Sequence, residues 1–226
     1  MEQLDQISAI LALSMGAAWA SGLNLYAAIF MLGMMGMTGN MDLPPGLEVL
    51  QNPLVLFAAG TMYVVEFFAD KIPGIDTGWD VLHTFVRIPA GAMLAAGAVG
   101  NVDPAMAVAA GILGGGLTAA THATKAGTRA LVNTSPEPFS NWGLSIGEDV
   151  AVFTGLWVAL NHPTLFIVLM VVFIFLLIWL LPKLWRGIKL VVAKIRGWLG
   201  DKQEPSQIAI REVKDDQTHR DVEAEK

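Results

Sequence analysis

Two stretches of this chain carry no charge for longer than a buried soluble helix requires. Every residue from Gln6 to Met41 is apolar or uncharged, and Thr164 to Leu181 read TLFIVLMVVFIFLLIWLL, 18 residues, about the length that crosses a bilayer. Between them, apolar runs alternate with turns bearing Pro, Gly and Asn, such as MDLPPG, GNVDP and NHP. The pattern predicts an all-α polytopic membrane bundle of about six transmembrane helices, near 7–37, 53–70, 78–100, 105–130, 141–160 and 164–181. The third and fifth are the weakest spans. Residues 88–100 are too short to cross alone, so the third span borrows the amphipathic turns before Pro89 or forms a partial helix, and Pro89 predicts a kink.

Composition agrees with the pattern: 54% of the 226 residues are apolar and 15% charged, and mean hydropathy is +0.54. Cysteine is absent, which excludes disulfides and thiolate chemistry. Glu2 and Asp5 stand where a secretory signal carries Lys or Arg, so the first apolar run reads as a retained helix. Under the positive-inside rule, Lys71, Arg87, Lys125, Arg129 and the ten basic residues from Lys183 onward fall on one side. The three loops assigned to the other side hold Asp42, Glu48, Asp103 and His162 but no Lys or Arg. With six crossings, both termini are expected in the cytoplasm. Basic residues that line a membrane face, with no soluble domain, give no support to nucleic-acid binding.

Three regions follow: a helical bundle over 1–182, a basic amphipathic helix over 183–200 and a charged tail over 201–226. On KLWRGIKLVVAKIRGWL, residues 183–199, helical spacing puts Lys183, Arg186, Lys189, Lys194 and Arg196 on one face and Leu184, Trp185, Ile188, Val192, Ile195 and Trp198 on the other. That pattern suits a surface helix on anionic lipids; the alternative is that the last span continues as a solvated helix. The tail is rich in mixed charge and poor in large apolar residues, the composition of disordered chain.

The candidate chemistry lies inside the apolar spans. In a helix over 76–87, Asp76, Asp80, His83, Thr84 and Arg87 share one stripe, and Glu66 and Asp70 stand at i and i+4 on the helix before it. Thr118, His122, Lys125, Arg129 and Asn133 form a third such face, and Asn141, Ser145 and Glu148, with Asp149 beside them, a fourth. The bland alternative is interfacial: bases snorkel, and acids cap helices or pair with them. It fits Glu66, Glu148 and Asp149 worst, because short acidic side chains within a span are costly unless paired or facing a wet cavity. His83 and His122 are the groups whose ordinary range is nearest neutrality. Asn24, in SGLNLY, marks a helix break with a polar, pore-lining side chain or a single satisfied Asn in a tilted continuous helix. Small-residue runs such as AAGILGGGLTAA allow close helix approach, and the echoes AAG at 58–60 and 109–111 and ADK/ATK at 69–71 and 123–125 suggest an internal repeat.

Together, SGLNLY, VVEFFADKIPGIDTGWDVLHTFVRIPAGA and HATKAGTRALVNTSPEPFSNWGLSIGEDV resemble a family of bacterial multi-pass membrane proteins that carries a domain of unknown function. The resemblance runs from about residue 8 to 195 and implies the architecture and a bacterial cytoplasmic (inner) membrane, but no substrate. Three functions remain open. A transporter or channel for a small solute or ion would use the carboxylates for a cation or protons, the bases as counter-charges and the histidines as relays. A scaffold or lipid-handling partner, including a homo-oligomer, would use the charges for pairing alone. A lipid-phosphate enzyme would hold Mg²⁺ between Asp76 and Asp80 or Glu66 and Asp70. No cofactor is expected beyond that divalent cation.

Overall fold

The computed structural model describes residues 2–201 apart from 73, 101, 102 and 135–137, with only the backbone for 138 and 194–201. The described residues form six α-helices and one 3-10 segment: α1 Glu2–Met37, the 3-10 segment Pro45–Gln51, α2 Pro53–Ala69, α3 Ile75–Val99, α4 Pro104–Val132, α5 Pro138–Asn161 and α6 Pro163–Asp201. The starts follow local chemistry. Asn52 and Asp103 accept the Leu54 and Ala105 amides at 2.9 and 2.7 Å, each followed by Pro at the first helical position, where its missing N–H costs nothing. Gly74, with φ +90°, opens α3, and Gly100, with φ +71°, closes it.

Five helices are long and apolar enough to cross a membrane: α1, α3, α4, Phe139–Asn161 of α5 and Pro163–Ala193 of α6. The third and fifth predicted spans therefore both pass, and α3 continues as one helix through Pro89. The second span is the short one. α2 has 17 residues and reaches spanning length only together with the 3-10 segment, which is bent from it by 70°.

The larger correction concerns α1, which does not cross as one rod. At Asn24 the backbone leaves helical geometry, with φ −147° and ψ 99°, and contacts on either side of it run in opposite directions. Before the break, Ser14 Oγ donates to Ala95 O of α3 at 3.0 Å, and Lys125 of α4 reaches Leu23 O at 2.7 Å. After it, Tyr26 meets His83 of α3, Gly60 of α2 sits on the Phe30 ring, and Gly33 packs on Leu50 and Leu56, while nearby Gly46 and Leu47 lie against Gly97 near the end of α3. The limbs 2–23 and 25–37 are thus a hairpin whose apex points at the end of the bundle where α3 starts and α4 finishes. Ile10 and Leu11 line one cleft with Val99 and Met106, so the chain's N-terminal end lies beside the α3–α4 connection. Ile10 and Leu11 thus stand toward the end of the bundle away from Lys71, Lys125 and Arg129. Glu2 and Asp5 instead belong with the end whose loops carry no Lys or Arg.

The core is made of small residues. Ala17, Ala20, Ala27, Ala28 and Leu32 of α1 pack with Leu94 and Ala98 of α3 and Val152 and Leu156 of α5. Close approach is compulsory at several glycines, Gly22 and Gly91 among them, as expected where packing rather than hydrophobicity joins helices. A Cβ on Gly22 would fall 2.6 Å from Thr121 Cβ and 2.8 Å from Thr118 O, and one on Gly91 would overlap the Thr118 side chain.

The described residues from Trp185 to Asp201 belong to a separate unit. In it the Lys189 ammonium stands 5.3 Å from the Trp185 ring. The faces assigned to Lys194, Ile195, Arg196 and Trp198, and the tail after Asp201, lie outside the described side chains.

Candidate functional site

Four helix ends and the α1 apex place the polar side chains. Glu66 comes from the last turn of α2 and Asp70 from its C-cap, Asp76, Asp80, His83 and Arg87 from the first half of α3, and His122, Lys125 and Arg129 from the second half of α4. Asn141, Glu148 and Asp149 come from the first half of α5, and Asn24 from the apex. All twelve predicted pathway residues and Asn24 are withdrawn from solvent, and even Glu148, the least buried of the network acids, has a side chain only 12% exposed.

Three bases link five of the acids. Arg87 Nη2 pairs with Glu66, and Nη1 lies 3.4 Å from Asp80. Lys125 Nζ stands 3.1 Å from Asp70, 3.3 Å from Glu66, 3.4 Å from Glu148 and 3.9 Å from Asp80. Arg129 binds Asp70 at 2.9 Å, pairs with Glu148, and lies 3.9 Å from Asp76. The fourth expected base stays outside. Lys71, in the turn after α2, lies 2.9 Å from the centre of the Phe67 ring and donates to Phe67 O, and partial burial draws its ammonium below the usual lysine range.

The acids divide by partner. Asp76 is a fastener: it accepts the Gly74 and Thr77 amides at 2.8 and 2.6 Å and both oxygens meet Asn133 Nδ2, which ties the start of α3 to the end of α4. Glu66, Asp70, Asp80 and Glu148 share the three bases. Asp149 pairs with none of them; its Oδ1 accepts from Asn24 Nδ2 at 3.0 Å. Glu66 Oε2, Asp70 Oδ1, Asp80 Oδ2 and Asp149 Oδ2 have no donor among the described residues. Asn141 is buried, yet neither of its amide atoms meets a hydrogen-bond partner among the described residues.

Hydrogen-bond geometry assigns the histidines. Arg87 Nη1 lies 3.2 Å from His122 Nδ1, and a guanidinium only donates, so Nδ1 is bare; Nε2 carries the proton toward Thr84 Oγ1 at 2.8 Å and Asp80 O at 3.1 Å. His83 Nδ1 donates to Trp79 O at 2.9 Å, its ring stacks on Trp79, and Nε2 meets the Tyr26 hydroxyl at 3.0 Å. Tyr26, Trp79 and the Leu23 carbonyl were not foreseen; only Tyr26 left a signal, as the last residue of SGLNLY within an uncharged run.

At the break, Asn24 does two jobs. Its Oδ1 accepts the Ala27 amide at 3.0 Å and so caps the second limb. The first limb ends on carbonyls whose negative dipole end receives Lys125 at Leu23 O. A broken helix inside an apolar span, with its free backbone groups satisfied by polar side chains, keeps irregular backbone away from lipid.

For metal chemistry the donors are badly placed. Asp76 and Asp80 face different partners, the acids that do converge close on the Lys125 ammonium, and among the described residues no group of three His, Asp or Glu side chains is placed to hold a metal ion.

The fold and site define a multi-pass helical membrane protein built around a buried, acid-rich ion-pair network at the apex of a broken helix. The chain belongs to the family described as a domain of unknown function (DUF4126), whose profile matches residues 11–183 and so takes in every residue of the network. No curated protein and no solved structure matches it.

Proposed function

We propose that this chain is a transport protein of the bacterial cytoplasmic membrane, moving a small ion or solute through the polar cluster at the α1 apex. One observation carries the reading. Six acids, Glu66, Asp70, Asp76, Asp80, Glu148 and Asp149, meet only three bases, Arg87, Lys125 and Arg129, inside a buried site. A buried carboxylate without a counter-charge is costly enough to recruit a cation or a proton, so a site with surplus acid favours cation or proton occupancy. A purely structural network gains nothing from such an excess, which is why transport stands ahead of a scaffold. Divergence of Asp76 from Asp80 sets a Mg²⁺-dependent enzyme lower.

Broken helices that meet at a polar site are also the elements that alternating access moves. The basic residues Lys71, Lys125 and Arg129 support a cytoplasmic cluster end under the positive-inside rule. The N-terminus then faces outward with Asp42, Glu48 and Asp103. Glu148, bridging Lys125 and Arg129 at the edge of the network, is its gate.

Purified protein in liposomes tests this through proton and alkali-cation flux, with wild type compared with Glu148→Gln. Flux that the substitution reduces supports transport. A folded wild type that passes neither protons nor any alkali cation counts against it.

A further inference from the structure

Within the transport reading, on which this inference rests, we propose that Asp149 is the proton-binding carboxyl, protonated and deprotonated against Asn24 at the apex of α1. Glu66, Asp70, Asp80 and Glu148 each hold a basic partner within 3.4 Å, and Asp76 is satisfied by two backbone amides and Asn133. Asp149 is the one acid of the six without a base inside ion-pair distance among the described residues. It is nonetheless buried, with 8% of its surface exposed, and Oδ2 has no donor. A single amide N–H offsets little of the cost of a buried charge. His122 is a worse carrier: a second proton on it would go onto Nδ1, against the Arg87 guanidinium.

The groups that act on Asp149 come from each side. Tyr63 and Asp70 belong to α2 and its end, Lys71 to the next turn, Lys125 to α4, and Glu148 precedes it on α5. Of these, Lys125 is engaged by four other acids and Leu23 O, and Lys71 by the Phe67 ring and carbonyl.

Chemically the step is one proton added to an Oδ2 lone pair, taking the carboxylate from one negative charge to neutral. The bond from Asn24 Nδ2 to Oδ1 then changes from charge-assisted to neutral and loses roughly half its strength. Because the same Asn24 caps the second limb through Ala27, proton uptake at Asp149 loosens the α1 apex, which links the ion to the moving part.

Infrared difference spectroscopy of the full chain in liposomes, between about pH 8 and about pH 5, reads the event directly. Wild type should gain the carbonyl stretch of one protonated carboxyl on acidification. Asp149→Asn should lose that band, Asp149→Glu should restore it at a shifted position, and Glu148→Gln should keep it. Asp149→Glu also guards against a variant that merely fails to fold. The same vesicles, loaded with a pH dye, give proton flux. A band that survives Asp149→Asn, the lack of any band in wild type, or undiminished proton flux through Asp149→Asn overturns the proposal. A band that behaves as expected in vesicles that pass no ion keeps the proton site and removes the transport reading.

Discussion

Lys125 holds the network together, and replacing it by Met measures what the network is worth. The ammonium serves Asp70, Glu66 and Glu148 at 3.1, 3.3 and 3.4 Å and the Leu23 carbonyl at 2.7 Å, with almost no exposure of its own. Methionine fills similar volume without charge. After the substitution, Glu66 keeps Arg87, while Asp70 and Glu148 keep Arg129, so no carboxylate is wholly stripped. The loss therefore sits at the low end of the range for breaking a buried pair, about 3 kcal/mol. Leaving the Leu23 carbonyl unpartnered adds about 1 kcal/mol. For a chain of this size, about 4 kcal/mol corresponds to a melting temperature lowered by roughly 8–16 °C, readable by thermal unfolding of the detergent-solubilised protein.

The decisive arm is rescue. Lys125→Met leaves four more acids than bases, so removing one acidic charge in that background should recover about 1–3 kcal/mol. Glu66→Gln should recover more than Glu148→Gln, because the Glu66 side chain has no exposure and that of Glu148 is 12% exposed. A cost below about 1 kcal/mol for Lys125→Met, the range of an exposed pair, would refute the buried network. A better rescue from Glu148→Gln would refute the ranking by burial.

Two further outcomes follow from packing and from the hairpin. Gly22→Val and Gly91→Val should each destabilise by about 1–3 kcal/mol through overpacking, whereas Gly147→Ala, with no atom within 4 Å of its Cβ position, should be neutral or gain up to about 1 kcal/mol; thermal unfolding separates the two groups. Since the chain has no cysteine, single cysteines at Asp5, Asp42 and Asp103 should react with a membrane-impermeant maleimide from one side and a cysteine at Lys71 from the other. Labelling of Asp5 from the Lys71 side would show that α1 crosses after all.

Most of the site was legible because a charge in an apolar helix has few places to go. Once Asp80, His83 and Arg87 fell on one stripe of α3, and His122, Lys125 and Arg129 on one stripe of α4, burying those stripes against each other was one of the few arrangements that kept both out of lipid. Partner choice was not legible. DxxxD looks the same whether its members share a metal or, as here, Asp76 is consumed by Gly74, Thr77 and Asn133 while Asp80 turns to Arg87. Nor could spacing show that Lys71, one residue from Asp70, would leave the network for the Phe67 ring.

The course of α1 was the least legible feature, for a physical reason. Hydropathy measures whether a segment tolerates lipid, and a hairpin buried among other helices tolerates it as well as a rod does. Its 36 residues hold one uninterrupted helical signal, and the reversal rests on a single backbone unit at Asn24 whose freed groups are answered from elsewhere: Lys125 at Leu23 O, and Asn24 itself at the Ala27 amide. Lys125 lies 102 residues from Leu23 and Asp149 lies 125 from Asn24, so nothing near the apex in the chain announces them. The charge pattern nevertheless carried the clue. No Lys or Arg precedes Lys71, and a helix that enters and leaves on the acidic side is the topology that satisfies the positive-inside rule at the N-terminus as well as at the loops. A polar residue near the middle of an over-long uncharged run, flanked on both sides by acidic chain, is therefore better read as an apex than as a tilted crossing.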